Sequence, residues 1–266
     1  MDAQKKAEFK RRIKREAAKL GVDITGFAPA ARWDEYGETP EAFRPGNIWP
    51  WCRTVISMGV QIFPSMIETT PSVVYSELYN TTNRLLDEAA YRLAAFLNRQ
   101  GYRAHFFPRD CYGDISVLVK KPEAAFSHVL AAKYAGLGTI GWNHTLITRE
   151  FGPRVRIVSV ITDAEITADP VISEELCIHC GLCRKKCPMQ AFGDVSDNEK
   201  SCLEMDKFKC AEYHQQLKNE FRYPCGVCTA VCPVGEDRRR YGSSSVSKEG
   251  IEHCQSFGSA NIFREG

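Results

Sequence analysis

Cysteines are concentrated in one part of this 266-residue chain. Ten of the twelve cysteines lie from Cys177 to Cys254, whereas the first 170 residues contain only Cys52 and Cys111. Four of the ten follow the pattern Cys-x2-Cys-x2-Cys-x3-Cys-Pro, at Cys177, Cys180, Cys183, Cys187 and Pro188. This asymmetry predicts a body of about 170 residues followed by a compact cysteine-rich module.

The spacing of this run is that of bacterial ferredoxins, whose thiolates bind [4Fe-4S] clusters. Three cysteines separated by two residues can hold one cluster from a single tight loop, and the fourth ligates the other cluster. A second, incomplete copy of the run follows at Cys225, Cys228, Cys232 and Pro233. Its missing cysteine must come from upstream, from Cys210 or Cys202, and the helix-like stretch between Cys210 and Pro224 favours Cys210.

The crossing rule of two-cluster ferredoxins then divides the ligands into two sets of four. The first set is Cys177, Cys180, Cys183 and Cys232, and the second is Cys187, Cys210, Cys225 and Cys228. Zinc sites also use Cys-x2-Cys pairs, but they need neither the third cysteine nor the Cys-x3-Cys-Pro ends. Disulfides are less expected, because a chain of this length does not need cross-links to fold. We therefore expect two [4Fe-4S] clusters.

Composition excludes several other classes of protein. Hydrophobic residues make up 44% of the chain and charged residues 26%, which is typical of a globular protein and not of a disordered one. The net charge of +2 creates no overall field that would attract nucleic acid. No run of 18 apolar residues is present, and the basic N-terminal residues lack the apolar core of a secretory signal. We expect a cytoplasmic protein that does not contact a membrane.

Hydrophobic periodicity predicts an α/β fold, in the sense of a layered α+β body. Helices are expected over residues 3–20, 79–100 and 126–135, and strands over 24–28, 54–63, 103–107, 115–119 and 155–162. The last strand has few polar residues, which indicates a central position in a sheet. The predicted domains are a body over 1–169, a ferredoxin-like module over 170–240 and a tail over 241–266.

A glycine-rich segment follows the third predicted helix. Gly136, Gly138 and Gly141 form G-x-G-x-x-G, but a helix precedes them and a strand follows, the reverse of a dinucleotide-binding fingerprint. Glycines that let the backbone approach a large planar cofactor fit this context better. The residues predicted to bind such a cofactor are Gly136, Leu137, Gly138, Ile140, Gly141, Asn143 and His144.

Three stretches together resemble the epoxyqueuosine reductase family, especially its shorter members with a double [4Fe-4S] domain. They are residues 135–166 (AGLGTIGWNHTLITREFGPRVRIVSVITDAEI), the cysteine run, and CGVCTAVCPVGEDR from Cys225. The resemblance covers about residues 5–240. It implies a flavin-free, nitroreductase-like body that binds cobalamin close to the first cluster, an arrangement shared with reductive dehalogenases. Electrons from a low-potential donor, a ferredoxin or flavodoxin, would pass singly through the clusters to cobalt, which would reduce a small-molecule substrate.

The sequence departs from the tRNA-modifying members of that family. The aspartate of their D-x-x-P-x-x-E segment falls here on Pro122, with Glu123 beside it. The helical-repeat extension found in many of those enzymes has no counterpart before the last residue, Gly266. A tRNA substrate is therefore not expected. Reduction of epoxyqueuosine stays an alternative, as does an electron-transfer or reductive activator protein without a resident corrinoid.

The proton donor must then come from other residues, and four are candidates. They are His128, Tyr112, Asp114 and Glu123. His128 has a side chain that titrates near neutral pH, although a lone histidine is more often structural. Tyr112 and Asp114 lie in a loop at a plausible pocket edge, and Glu123 is a candidate by its position alone.

Two arginines and a short basic run complete the candidates. Arg154 and Arg156 alternate along a strand and could hold acidic groups, with a solvated strand face as the alternative. The run of three arginines at 238–240 could bind an anionic partner or form a solvated surface.

Overall fold

The computed structural model describes residues 3–194, 204–242 and 246–257 of the protein. Its strands are β1 (Ile24–Pro29), β2 (Thr54–Gln61), β3 (Ala104–Phe107), β4 (Thr139–Ile140), β5 (Leu146–Ile147) and β6 (Val155–Thr162). The helices of the body are α1 (Ala3–Lys19), α2 (Arg32–Tyr36), α3 (Pro45–Ile48), α4 (Pro64–Ile67), α5 (Val73–Arg99), α6 (Ile115–Lys120) and α7 (His128–Tyr134). Those that follow are α8 (Leu182–Lys185), α9 (Lys207–Asn219), α10 (Val227–Ala230), α11 (Glu236–Tyr241) and α12 (Lys248–Ser256).

The body is organised around an antiparallel sheet with the strand order β1-β2-β6-β3. The central strands β2 and β6 pair along their whole length, with Ile56 opposite Val160, and almost all of their residues are buried. Strands covered on both faces are rich in apolar residues throughout. The predicted central position of β6 is therefore confirmed, and the chain has the mixed α and β character that the sequence indicated.

Helices cover the two faces of this sheet. On one face, α1 and α5 pack against inward side chains of β2 and β6, including Met58 and Val158. On the other face, α7 and the segment around Trp33 pack against Val55 and Ile161. Because successive side chains of a strand point to opposite faces, neighbouring residues of β2 and β6 serve different cores.

The strand predicted over 115–119 is wrong, because these residues form helix α6. Asp114 begins this helix: its side chain accepts a hydrogen bond from the backbone N–H of Ser116 at 3.0 Å. Such a cap stabilises a helix by about 1 kcal/mol, enough to outweigh the mild strand preference of a β-branched run. The segment between β1 and β2 contains α2, a short 3-10 turn at Glu41–Phe43 and α3.

The cysteine-rich region packs directly on the body. Near its start, the backbone N–H of Leu176 donates to the side-chain hydroxyl of Thr139 in the body at 3.1 Å. Further on, the backbone N–H of Asp237 donates to the carbonyl of Glu150 at 3.0 Å. The two predicted units therefore share hydrogen bonds at both ends of the cysteine-rich region.

The tail contributes α12, which lies beside α5. The Gln255 side-chain amide donates to the carbonyl of Thr70 at 2.9 Å, so this helix is tied back to the body. Among the described residues, no helix is both long enough and apolar enough to cross a membrane.

Candidate metal centre and adjacent pocket

Four of the predicted ligands lie together and are called the first quartet: Cys177, Cys180, Cys183 and Cys232. They line one small cavity of about 20 Å³ with Trp142 and Asn143. Gly181 begins α8 with a φ of 70°, a left-handed conformation that lets the chain turn tightly between Cys180 and Cys183. Burial, followed by the neighbouring thiols Cys177 and Cys180, raises the pKa of Cys183.

The other four predicted ligands, Cys187, Cys210, Cys225 and Cys228, form the second quartet. Burial raises the pKa of Cys225 to about 12, and Cys210 and Cys187 are the neighbouring thiols that add to this effect. Cys210 lies in the first turn of α9, where burial and Cys187 raise its pKa to about 11. Its competitor Cys202 lies outside the described residues.

The two quartets adjoin each other. Burial raises the pKa of Cys228, and the neighbouring thiols that add to this include Cys183 of the first quartet. Trp142 and Phe192 pack between them, against Cys177, Cys183, Cys187 and Cys228. The grouping is therefore the one that the crossing rule predicts, with one member of each cysteine run placed in the other set.

The chemical state of these thiols bears on metal binding. In the described parts of the chain every cysteine is a free thiol. Within the same residues, no group of three or more His, Cys, Asp or Glu side chains has the arrangement of a single-ion site. Because burial raises the pKa of Cys183, Cys210, Cys225, Cys228 and Cys232, a metal that these thiols ligate must displace protons.

The glycines of the segment predicted to bind a planar cofactor pack closely against other parts of the protein. A side chain at Gly136 would collide with the carbonyl of Pro170, and one at Gly138 would collide with the carbonyl of Ile147. At Gly141 the obstacle is the side chain of Ile147. These glycines are needed for close packing of the protein against itself.

The other residues predicted to bind the cofactor also serve the protein's own packing. Leu137 packs in the core beneath α7, and Ile140 pairs with Leu146 in the β4–β5 hairpin. The Asn143 amide donates to the carbonyl of Cys228 at 3.4 Å, so this residue braces the second quartet. His144 has a φ of 59° and lies with its ring centroid 6.4 Å from that of Phe192. The segment over 136–144 therefore packs within the body and contacts the cysteine loops through Asn143.

A second pocket, which we call the tyrosine pocket, opens beside the second quartet. It has a volume of about 200 Å³ and is lined by Tyr79, Asn80, Asn83, Arg109, Asp110, Tyr112, Gly113, Asp114, Ile115, Lys218 and Tyr223. Tyr223 is separated from Cys225 by one residue, and Tyr75, one turn before Tyr79 on α5, contacts the loop at Gly226.

Hydrogen bonds join the three phenols of this pocket. The hydroxyls of Tyr112 and Tyr223 are 2.8 Å apart, and that of Tyr79 lies 3.4 Å from Tyr223. The Tyr79 hydroxyl also donates to the Asp110 carboxylate at 3.1 Å. Burial raises the pKa of Tyr112 and of Tyr223, so both phenols are neutral hydrogen-bond donors at physiological pH.

Arg156 supports the floor of the tyrosine pocket. Its guanidinium donates to the Asn83 side-chain oxygen at 3.0 Å and to Asp110 at 3.2 Å. This bond fixes which end of the Asn83 amide carries the oxygen. The amide nitrogen of Asn83 is then buried without a hydrogen-bond partner in the described structure. Arg156 therefore holds acidic and amide groups of the protein itself. Neither Arg154 nor Arg156 lies on a solvated strand face, which was the alternative interpretation.

The four predicted proton donors lie in different environments. Tyr112 is in the tyrosine pocket. Asp114 is at its rim, where the Lys218 ammonium lowers the pKa of the carboxyl, so it carries no proton at neutral pH. Glu123 is exposed and pairs with Lys121 at 2.9 Å, and it lines neither pocket.

His128 is buried, and both ring nitrogens are engaged. Nδ1 lies 2.9 Å from the Ser159 hydroxyl, and Nε2 lies 2.9 Å from the carbonyl of Pro108. Burial lowers the pKa of His128 to about 4, which keeps the ring neutral. This is the environment of a structural histidine that anchors the loop leading into the tyrosine pocket.

Sequence reasoning missed most of this pocket. Tyr79, Asp110 and Tyr223 come from α5, from the loop after β3 and from the approach to the second quartet, so no spacing pattern unites them. The one available signal in the sequence was the pair Arg154 and Arg156, which alternate where β6 begins. A charged residue inside an otherwise apolar central strand requires a buried acidic or polar partner.

Comparison with known proteins agrees with this architecture. A 4Fe-4S binding domain model matches residues 170–192. A tetrachloroethene reductive dehalogenase of Desulfitobacterium hafniense is 30% identical over 226 residues, covering 80% of this chain and 36% of that protein. An epoxyqueuosine reductase of Leadbetterella byssophila is 24% identical over 246 residues, covering 85% of this chain and 80% of that protein.

Solved structures show the same fold. A reductive dehalogenase structure described as suggesting a mechanism for B12-dependent dehalogenation matches with a TM-score of 0.64 and 24% identity. The match covers 86% of this chain and 32% of that one. An epoxyqueuosine reductase bound to a tRNA stem loop matches with a TM-score of 0.57 and 19% identity, covering 86% of this chain and 66% of that one.

These relatives differ in length and in substrate. The chain spans about a third of the length of the reductive dehalogenases that it matches. Both groups of relatives are reductases by name, and both align with the body and with the cysteine-rich region together. The chain is therefore related to epoxyqueuosine reductases and to reductive dehalogenases across most of its length.

Proposed function

We propose that this protein is an iron-sulfur oxidoreductase that carries electrons through two [4Fe-4S] clusters to a small molecule bound at the tyrosine pocket. Each quartet of cysteines would ligate one cluster. The donor set supports this assignment, because cysteine thiolates in this spacing are the ligands that such clusters use. The match of residues 170–192 to a 4Fe-4S binding domain supports it independently.

The observation that carries the proposal is the position of the tyrosine pocket. It adjoins the second quartet, while the first quartet includes Cys180, an exposed cysteine. An external low-potential donor, a ferredoxin or flavodoxin, would reach the first cluster, and the second would deliver electrons toward the body. The order donor, first cluster, second cluster, pocket follows from this arrangement.

The pocket supplies groups for binding and protonation. Neutral phenols at Tyr112 and Tyr223 can donate protons or hydrogen bonds to a substrate that gains electrons. Arg109 and Lys218 at the rim carry positive charge beside Asp110 and Asp114. Of the four predicted donors, Tyr112 is the one that this geometry favours.

Cobalamin is the proposed electron carrier between the clusters and the substrate, on the strength of the relatives. A reduced corrinoid would supply the low-potential reducing chemistry, which cofactors bring and proteins position. At three of the seven residues predicted to hold it, Gly136, Gly138 and Gly141, the space beside the backbone is taken by the protein's own carbonyls and side chains, which does not fit a cradle for a planar cofactor.

That misfit favours a second candidate function. An electron-transfer or reductive activator protein would use the same two clusters but would deliver electrons to an acceptor held by a partner. A third possibility, reduction of epoxyqueuosine in tRNA, has its support in the relatives of that name.

Anaerobic titration of the reconstituted protein with cob(II)alamin distinguishes these candidates. The reductase proposal predicts saturable binding and an altered EPR spectrum of cobalt. Unchanged spectra with both clusters present would support the activator. Recovery of queuosine in a deficient strain would support the third function.

A further inference from the structure

The most deeply buried ion pair of the described structure joins the body to the cysteine-rich region. Arg154, the residue before β6, is 0% exposed at its side chain, and Asp237, at the start of α11, is 2% exposed. The guanidinium donates to both carboxylate oxygens of Asp237, at 2.6 and 2.7 Å. A two-pronged pair of this kind fixes the relative orientation of the two groups.

The same guanidinium also holds the loop of the first quartet. It donates to the carbonyl of Cys232 at 2.8 Å and to the carbonyl of Val234 at 2.6 Å. The backbone of Gly152 packs against the Val234 carbonyl, and a side chain at residue 152 would collide with that carbonyl. The backbone N–H groups of Glu236 and Asp237 donate to the carbonyls of Arg149 and Glu150, both at 3.0 Å. Every part of the segment around Cys232 is therefore set by the body.

The contrast with the rest of the first quartet is informative. Cys177, Cys180 and Cys183 come from one short loop and can keep their spacing without outside help. Cys232 reaches them from a distant part of the chain, so its position depends on what anchors it. The anchor in the structure is Arg154.

We propose that Arg154 is a positioning residue for the first cluster: with Asp237 it holds Cys232 as the fourth ligand and sets the electrostatic field at that cluster. This inference rests on the proposed function in that it requires two clusters. Lysine cannot replace the arginine, because one ammonium cannot span a carboxylate and two carbonyls in a fixed plane. The effect is confined to one of the two clusters.

The charges of Arg154 and Asp237 predict the direction in which the midpoint potential of the first cluster shifts when either charge is removed. Cluster potentials respond to the net charge and the hydrogen bonds around the ligating sulfurs. Removal of the positive charge in Arg154→Met leaves the Asp237 carboxylate near Cys232 and should lower the midpoint potential of the first cluster. Asp237→Asn leaves the guanidinium uncompensated and should raise that potential.

The test is anaerobic iron and sulfide analysis with EPR-monitored redox titration of the full chain and its variants. Arg154→Met and Arg154→Lys are expected to lose up to half of the bound iron, with the signal of the second cluster unchanged. Arg149→Met is the matched control, because it removes an exposed arginine that pairs with Glu174 in the same region. It should leave both clusters intact.

A variant without either charge separates positioning from folding. Arg154→Met combined with Asp237→Leu removes the unpaired buried charge, which is the main cause of unfolding when one partner is lost. We expect this variant to fold and still to lose the first cluster selectively. Two intact clusters at unchanged potentials, in this variant or in Arg154→Met, would overturn the inference, as would equal loss of both clusters in every variant. Absence of iron from the unaltered protein would instead overturn the proposed function.

Discussion

The two quartets of cysteines use similar sequence motifs but lie in different surroundings. The first has an exposed member, Cys180, and its distant ligand Cys232 is held by a buried ion pair. The second includes the buried Cys225 and adjoins the tyrosine pocket. Near-identical ligand spacing therefore does not give identical clusters, because burial and neighbouring charge set how each one exchanges electrons.

The largest expected effect is the loss of one cluster when one cysteine of its quartet is replaced. Cys180→Ala and Cys225→Ala should each remove about half of the bound iron, because each deletes one ligand of one cluster. EPR of the reduced variants should show two different remaining signals. Complete loss of iron in both variants would show that the clusters do not form independently.

A matched pair of variants tests the membership of the second quartet. Cys210→Ala is expected to lose one cluster, whereas Cys202→Ala should retain both. The reason is that Cys210 lies beside Cys187 and Cys225, where its thiol can complete the set. Iron analysis that gave the reverse result would transfer the ligand to Cys202.

Acidification should lower the free energy of unfolding through His128, which anchors the loop leading into the tyrosine pocket. Burial lowers the pKa of His128 to about 4, below its value near 6.5 in an unfolded chain. The unfolded state therefore binds the proton first as the pH falls, and stability is lost between about pH 6.5 and pH 4. The loss amounts to about 3 kcal/mol at most by the linkage relation.

Chemical denaturation of His128→Asn across this pH range measures that dependence. The variant should be less stable at pH 7 and should lose less stability on acidification than the unaltered protein. His253→Asn is the control, since His253 is exposed in the tail. Equal pH slopes for the unaltered protein and His128→Asn would contradict the assignment of this linkage to His128.

Arg154, just before β6, and Arg156, within it, provide a finer comparison. Arg154 serves the first quartet, whereas Arg156 serves the tyrosine pocket through Asn83, Tyr79 and Asp110. Arg156→Met should lower the free energy of unfolding by about 1–3 kcal/mol, because it strands buried polar groups. Both clusters should remain. Loss of the first cluster in Arg156→Met would erase the distinction between the two arginines.

The smallest expected effect comes from the different solvent exposure of the two quartets. An iron chelator should strip the first cluster several-fold faster than the second, because Cys180 is exposed and Cys225 is buried. EPR signals followed over time would measure the two rates. Equal rates, or faster loss of the second cluster, would contradict the assignment of an exposed and a buried end.

Local spacing made part of this architecture predictable. The predicted division of the cysteines into two sets rests on the Cys-x2-Cys-x2-Cys-x3-Cys-Pro pattern, in which three cysteines stay together in one loop and the fourth belongs to the other set. The central strand β6 was equally readable from its continuous apolar residues. In both cases the information lies within a few consecutive residues.

The parts that sequence reasoning missed depend on long-range contacts. The residues 115–119 read as a strand until Asp114 is seen to cap a helix. The glycines at 136, 138 and 141 suggested an open surface, but the carbonyls of Pro170 and Ile147 occupy the space beside two of them. The hydroxyls of Tyr79, Tyr112 and Tyr223 meet through the tertiary fold, which no local pattern encodes.

The most direct test of the account is analysis of the unaltered, anaerobically reconstituted protein by iron assay and EPR. Two [4Fe-4S] clusters in adjoining quartets predict about eight irons per chain and, on full reduction, a spectrum broadened by interaction between two spins. A content of about four irons with one simple signal, or bound zinc in place of iron, would contradict the two-cluster relay.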